Sequence, residues 1–420
     1  MIVAAMREMK DSGIEWIGEI PETWDIKKGK YCLRYVQKPT KPDDDVITCF
    51  RDGEVTLRRN RREEGFTISL KEIGYQGIDV GDLIVHGMDG FAGAIGISDS
   101  RGKASPVLNV LDTDNNKRYI MYYLRSLAFN GVFLALSTGI RVRTCDTNWD
   151  KLRELLYVLP PKKEQDAIVS FLDAKCAEID ALSADIESEI DMLEAYKRSV
   201  ITETVTKGLD KTVPMKDSRI EWAEKVPAHW KVMQNKYIMK KVKEICPVYH
   251  NEDILSLTMN GVIVRDLDAG GKMPASFNGY QIIHPGNLLM CLFDYDVTPR
   301  CIGLIKNEGL TSPAYSQFVM KNGNTAEYYY YYYLMIDFTK ELLHLAKNLR
   351  HSFTEDQLGM INAPVPPVGE QIAIAKYLDE QCAEIDSIIA QKQEQLVVLA
   401  DYKKSVIYEY VTGKKEVPVA

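Results

Sequence analysis

Basic charge is in short supply: 52 lysines and arginines stand against 60 aspartates and glutamates, a formal net charge of −8. That deficit excludes a protein that coats a polyanion by bulk electrostatics, so any such contact must come from local basic clusters. The eight cysteines (Cys32, Cys49, Cys145, Cys176, Cys246, Cys291, Cys301, Cys382) include no CxxC pair and no Cys/His spacing that closes a tetrahedral zinc site. They read as reduced, mostly buried thiols. No apolar run is long enough to cross a bilayer, and Met1 to Met6 is too short, with Arg7 and Lys10 on the wrong side, for a secretory leader. A cytoplasmic protein is expected. There is no P-loop lysine motif, and Gly87 to Gly96 holds no Gly-x-Gly opening a helix. The proline pairs are flanked by Leu159 and Lys162 or by Val365 and Val368, not by the Asn or Asp and Tyr that hold a flipped adenine. No catalytic residue, metal site or cofactor is expected in the chain.

What is present is a long internal repeat, and 420 residues suffice for two or more domains. DSGIEWIGEIPETW from Asp11 matches DSRIEWAEKVPAHW from Asp217 at seven of 14 positions, an offset of 217 − 11 = 206. EQDAIVSFLDAKCAEID from Glu164 matches EQIAIAKYLDEQCAEID from Glu370, and LEAYKRSVITETV from Leu193 matches LADYKKSVIYEYV from Leu399, both again 206 apart. Between these blocks only scattered anchors survive, such as Gly81 with Gly286 and Ser105-Pro106 with Ser312-Pro313. Matched parts imply shared scaffolding, and divergent bodies imply two different targets.

Each matched tail reads as one long helix. Pro160-Pro161 and Pro366-Pro367 set its start, and no further proline follows before Gly208 or Gly413. Ile179, Ile186, Leu193 and Val200 recur every seven residues, with Leu182 and Tyr196 beside them and Ile190 and Ile201 widening the stripe. The second tail keeps Ile385, Leu399 and Val406 but has Lys392 on the seam, where Ile388, Ile389 and Leu396 broaden the face. Such stripes need a partner, and the other tail is the natural one. Antiparallel pairing would close the two copies through a pseudo-two-fold, as in an isologous dimer, and would keep Cys176 from bridging to Cys382. The bodies read as α/β: strands in LLYVLPP, DVGDLIVHGM and AGAIGISD with a helix in RYIMYYLRSLAF, then strands in HPGNLLMCLF and RCIGLIK with a helix from Ala326 through the LLHLAK stretch.

On the IEWIGEIPETW opening, the GDLI turn, Leu159-Pro160-Pro161 with Glu164-Gln165, the FLD and EID steps and the YKRSVI end, the sequence resembles the specificity (S) subunits of type I restriction-modification systems. The resemblance covers nearly the whole chain from about residue 11, and almost all of it is present twice. It implies an α+β fold: two α/β target-recognition domains, residues 11–160 and 217–366, separated by two long antiparallel helices, 161–208 and 367–413, in an intramolecular coiled coil. It further implies that each domain reads one half of a split, asymmetric site in double-stranded DNA while the helices set the spacing. Two methyltransferase (M) subunits would dock on the chain and bring S-adenosylmethionine, and a motor-nuclease (R) subunit would join for cleavage. A self-sufficient methyltransferase or nuclease, and a purely structural coiled-coil scaffold, stay open as alternatives.

Arg58, Arg59, Arg61 and Arg62 form the densest basic cluster, and guanidinium groups pair with phosphates or fork onto guanine; the competing reading is a solvated loop offset by Glu63 and Glu64. Arg141 and Arg143 close the first body, with Lys347, Arg350 and His351 at the corresponding place in the second. The turns after GDLI and GNLL, His86 to Phe91 with Asp89 and Asp294 to Arg300 with Arg300 itself, sit at strand ends where recognition residues gather. Six consecutive tyrosines, Tyr328 to Tyr333, point all round a helix, so most must pack inward rather than stack on bases. Trp16, Trp24, Trp222 and Trp230 read first as anchors of the opening segment and second as a docking feature for an M subunit.

Overall fold

The opening segment of the repeat folds as a hairpin in both copies: Met9–Asp11 pairs with Glu19–Pro21, and Met215–Asp217 with Lys225–Pro227. The Asp-Ser pair makes the turn. Asp11 and Ser12 side chains accept the backbone N–H groups of Gly13 and Ile14, and Asp217 and Ser218 do the same for Arg219 and Ile220. The computed structural model describes residues 7–61, 72–136, 147–268, 274–346 and 351–418. Its chain separates into two units, Met1–Ile186 with Glu394–Ala420, and Glu187–Gln393. The four longest described helices are α1 (Lys117–Phe129), α2 (Lys162–Lys207), α3 (Ala326–Thr339) and α4 (Val368–Val411).

In the first unit four antiparallel strands lie in the order Arg34–Tyr35, Leu108–Asp112, Leu83–His86, Ile95–Ile97. Because side chains alternate along a strand, Leu83 and Val85 enter the core with α1, whereas Ile84 enters a second cluster with Ile47, Cys49, Val55 and Ile78. Burial on both faces explains why GDLIV reads as an unbroken apolar run. Each such fully buried aliphatic side chain contributes roughly 1.5–3 kcal/mol. The second unit repeats the plan with Met239–Val242, Ser316–Met320, Leu288–Met290 and Ile302–Leu304, covered by α3. Beside it lie a three-stranded sheet, Glu244–Ile245, Gln281–Ile283 and Gly309–Thr311, and a hairpin of Leu255–Thr258 with Gly261–Val264, the counterparts of Gln76–Ile78 with Gly102–Ala104 and of Ile47–Cys49 with Val55–Leu57 in the first unit.

The helix expected to run through LLHLAK stops at Thr339. Lys340 adopts a left-handed φ of 55° and a 3-10 turn, Glu341–Leu345, follows. The Lys340 ammonium stabilises that break by donating to Asp337 Oδ1 at 2.6 Å and to the Thr298 carbonyl at 2.7 Å. The tyrosines pack inward: Tyr328, Tyr329, Tyr331, Tyr332 and Tyr333 are buried, and the first three donate to Val205 O, Pro364 O and Asp379 Oδ1.

The Glu-Gln pair that begins each long helix has a defined task. Buried Gln165 accepts the Asn116 N–H and donates to Asn115 Oδ1 and Pro160 O; buried Gln371 accepts the Thr325 N–H and donates to Asn324 Oδ1 and Pro366 O. Each glutamine therefore ties its long helix to the start of α1 or α3. Within the first unit, Phe171 meets Tyr410 and Asp180 meets Lys403 at 2.5 Å. Within the second, Glu189 pairs with Lys392 and Lys197 with Asp386 at 2.6 Å. In both units the numbers rise along α2 as they fall along α4, so the segments run antiparallel.

The buried and half-buried positions of α2 follow a 4-3 spacing through Leu172, Cys176, Ile179, Ser183, Ile186, Ile190, Leu193, Lys197 and Val200. Leu182 and Tyr196, expected on the stripe, are 48% and 55% exposed, because the seam positions beside them are Ser183 and Lys197. Lys392 does sit on the α4 seam, where Glu189 meets its charge. The seven described cysteines are free thiols and all are buried; Cys145 lies outside the described residues. Among those residues no helix is long and apolar enough to cross a membrane.

Candidate nucleic-acid interface

The hairpin Ile47–Cys49 with Val55–Leu57 presents a Phe-Arg-Asp-Gly turn, an Asp-Gly hairpin signal that the reading of the sequence passed over. Gly53 has φ 92°, and a Cβ there would meet Arg125 Nη1 at 2.5 Å and Ile95 O at 2.9 Å. Arg125 lies beneath the turn and donates to Asp52 O at 2.6 Å. Burial pushes the pKa of its guanidinium down. This hairpin and the turn after GDLI form the walls of one open groove of about 780 Å³, lined by Arg51, Arg58, Arg61, Tyr75, His86 and Asp89 among others.

Arg58, Arg61, His86 and Asp89, expected from separate stretches, thus meet in one place. The arginines do not form a bare cationic patch. Arg59 pairs with Asp45 at 2.5 Å, Arg61 with Asp52 at 2.6 Å and Glu54 at 3.1 Å, and Arg51 with Asp89 at 2.8 Å. Arg61 also lies over the Phe50 ring at 4.3 Å, and Arg58 donates to Thr48 Oγ1. Exposed pairs of this kind are worth about 0–1 kcal/mol each, so a phosphate can displace the carboxylates. Arg62, Arg141, Arg143, Lys347 and Arg350 lie outside the described residues.

His86 caps its own turn. Its Nδ1 accepts the N–H of Asp89 at 3.0 Å and of Met88 at 3.2 Å. Burial first, with Arg51 as a lesser cause, lowers its pKa against the raising effect of Asp89. Thr147, the first described residue beyond Arg143, closes the same turn: its N–H donates to Gly87 O and its hydroxyl to His86 O.

The second unit places a different loop on the same connection. Its strand Leu288–Met290 leads into residues 292–300 and returns as Ile302–Leu304, with Cys291 N–H donating to Cys301 O where His86 N–H donates to Ala94 O. Phe353 N–H donates to Leu292 O, as Thr147 does to Gly87. His351 Nδ1 lies 2.8 Å from Asp296, which the contact holds below the usual carboxylate range. Arg300 turns inward: it is 14% exposed, 3.9 Å from Asp337 and over the Phe338 ring. A groove of about 320 Å³ in this unit is walled by Lys236, Lys240, Lys241 and Lys321 together with Glu355 and Asp356; three of its lysines fall within the KYIMKK stretch, a basic signal the sequence itself carries.

Trp24 and Trp230 are fully buried anchors, and Trp222 donates to Tyr332 Oη at 2.9 Å. Trp16 packs half-buried against the first core. Among the described residues no group of three His, Cys, Asp or Glu side chains is placed to hold a metal.

No family model matches the chain. It is 22% identical over 439 residues to the MjaX specificity subunit of a type I restriction enzyme from Methanocaldococcus jannaschii, covering 95% of each protein. It is 23% identical over 422 residues to the MjaVIII specificity subunit from the same organism, covering 94% of this chain and 93% of that one. A solved structure describing complex assembly and conformational transition of the type I R-M system contains a chain that matches with a TM-score of 0.70 at 11% identity, over 94% of this chain and 99% of that one. At that identity the structural likeness speaks for the fold. By sequence, over about 95% of its length, the chain is a relative of the type I restriction specificity subunits.

Proposed function

We propose that the chain is the DNA-specificity subunit of a type I restriction-modification complex and carries no catalytic site of its own. Residues 11–160 and 217–366 act as two target-recognition domains, each reading one half of a split, asymmetric site. Residues 161–208 and 367–413 pair as an antiparallel coiled coil that sets the spacing and docks two M subunits. The M subunits hold the S-adenosylmethionine and methylate adenine, an R subunit joins for cleavage, and the assembly works in the cytoplasm. The observation that carries this reading is a repeated scaffold around unlike loops. The Trp-Glu-Gln ties at 24, 164 and 165 recur at 230, 370 and 371, whereas the end of the shared strand and the turn after it hold His86 and Asp89 in one unit and Asp294 to Arg300 in the other. The test is the methylation pattern of DNA from cells expressing the chain with its neighbouring M subunit, against cells lacking only this chain. Adenine methylation at one split motif that depends on the chain is the expected result. A pattern indifferent to the chain overturns the proposal.

A further inference from the structure

His86 is held in one tautomer by the backbone around it. Two N–H groups, from Met88 and Asp89, converge on Nδ1, so that nitrogen must be an acceptor and the ring proton must sit on Nε2. A proton on Nδ1, in the other tautomer or in the imidazolium, would face both N–H donors. The ring is therefore neutral, with a fixed Nε2–H donor.

That donor has a neighbour of opposite character. Asp89 Oδ2 lies 4.0 Å from His86 Nε2, while Asp89 Oδ1 accepts from Arg51 Nη2 at 2.8 Å. The side chains of His86, Asp89 and Arg51 are 19%, 36% and 67% exposed, and all three line the groove of the first unit. Along its wall the groove presents a donor, an acceptor and a second donor, in that order.

We infer that His86 and Asp89 are the base-reading pair of the first unit and that they select adenine. This assignment rests on the DNA-specificity reading of the chain. In the major groove adenine alone among the bases offers an acceptor, N7, beside a donor, the N6 amine, on one edge. His86 Nε2–H donates to N7 and Asp89 accepts from N6. Guanine carries two acceptors there, N7 and O6, and a carboxylate facing O6 leaves two lone-pair groups opposed with no proton between them, which rejects the wrong base rather than merely failing to favour it. Arg51, released from or sharing Asp89, reaches the next base or its phosphate. Thr147 and the paired N–H groups hold His86 in place, so it enters the complex preorganised, as the surrounding arginines with their exchangeable partners do not.

The experiment uses the chain in complex with its M subunit and duplexes carrying the motif found by methylation mapping. Each adenine of the half-site assigned to the first unit is replaced in turn by 7-deazaadenine, which removes N7 and leaves N6. One position is expected to cost the native complex on the order of tenfold in affinity, and His86→Ala is expected to abolish that sensitivity at that position alone. His86→Ala also removes the turn's cap, so Asp89→Asn is the second variant: its amide can donate to O6, and discrimination of adenine over guanine should fall about tenfold at the same base pair. A half-site in which no adenine responds, or a response that persists in His86→Ala, overturns the assignment while leaving the specificity-subunit reading intact. Absence of any motif dependent on the native chain overturns both.

Discussion

The Trp230 indole donates its N–H to Glu370 Oε2 at 2.8 Å, and Trp24 donates to Glu164 at 3.1 Å across the same 140 residues. Each glutamate lies in the first turn of its long helix, where a carboxylate is favoured by the unpaired N–H groups and the helix dipole. The opening segment of each repeat is thereby fastened to the start of the helix that closes it. The glutamine that follows fastens the same helix start to the body.

Replacing Gln371 by Leu tests that second tie. The side chain is fully buried and satisfies the Thr325 N–H, Asn324 Oδ1 and Pro366 O. Leucine has nearly the same volume but leaves these groups unpaired, at a cost of about 1–3 kcal/mol for each one left without water. A fall in the unfolding midpoint of several degrees is expected, read by circular dichroism. An unchanged midpoint would show that the helix start is held by packing alone.

Lys392 occupies a seam position with its ammonium paired to Glu189 and its side chain 24% exposed. An apolar residue there restores the heptad, and the lost pair is worth about 1 kcal/mol or less. Lys392→Ile should therefore stabilise the chain by about 1 kcal/mol in chemical unfolding. A loss of stability would mean that the pair contributes more than its exposure allows.

Arg61 stands on the groove wall with two carboxylates already beside it. If a phosphate displaces them on binding, Arg61→Gln weakens binding to target and unrelated duplexes alike and reduces the slope of log affinity against log salt by about one. Fluorescence anisotropy across a salt series reads both. An unchanged slope assigns Arg61 to holding the turn under Phe50.

His284 supplies a pH test of the second unit. Its Nε2 lies 3.1 Å from Glu244 and its Nδ1 3.4 Å from Glu308. The bond to Glu244 raises its pKa above the ordinary 6.5, desolvation opposes this, and Glu308 adds a smaller increase. A raised folded-state pKa gives stability that is fully present below the unfolded value and is lost as pH rises through the folded one. His284→Gln should thus be less stable than the native chain at about pH 5.5 and nearly equal to it at about pH 9. A difference independent of pH would attribute the effect to packing.

The helix starts after Pro161 and Pro367, the strand in GDLIV and the inward packing of the tyrosines were legible in the sequence because their physics is periodic or local. The seam was legible only in outline. Leu182 and Tyr196 look like stripe residues, yet Ser183 and Lys197 take the inner positions, because a one-residue shift on a helix rotates a side chain by 100°. The arginine cluster was legible as charge, with Glu63 and Glu64 as its expected offset, but its partners Asp45, Asp52 and Glu54 were not, since they reach Arg59 and Arg61 through the fold. The sequence places Arg300 only in a turn at a strand end, among candidate recognition residues. Its attraction to Asp337, 37 residues on, turns it in.

The most direct test of modular reading is exchange of residues 25 to 150 for the matching stretch of another type I specificity subunit. The replaced stretch contains the groove hairpin, His86, Asp89 and α1 but spares Trp24, Glu164 and Gln165, so its new body must meet an unchanged scaffold. Among the scaffold contacts that cross the exchange boundary are Asn116 N–H to Gln165, Gln165 to Asn115 Oδ1, Tyr119 Oη to Val411 O, Tyr122 Oη to Asp173 and the pairing of Asp25–Lys28 with Leu156–Leu159. A donor that keeps these partners should fold normally. Methylation mapping should then return a motif in which one half is new while the other half and the gap are unchanged, since α2 and α4 are untouched. A change in both halves, with the chimera folded, would mean that the two bodies do not read independently.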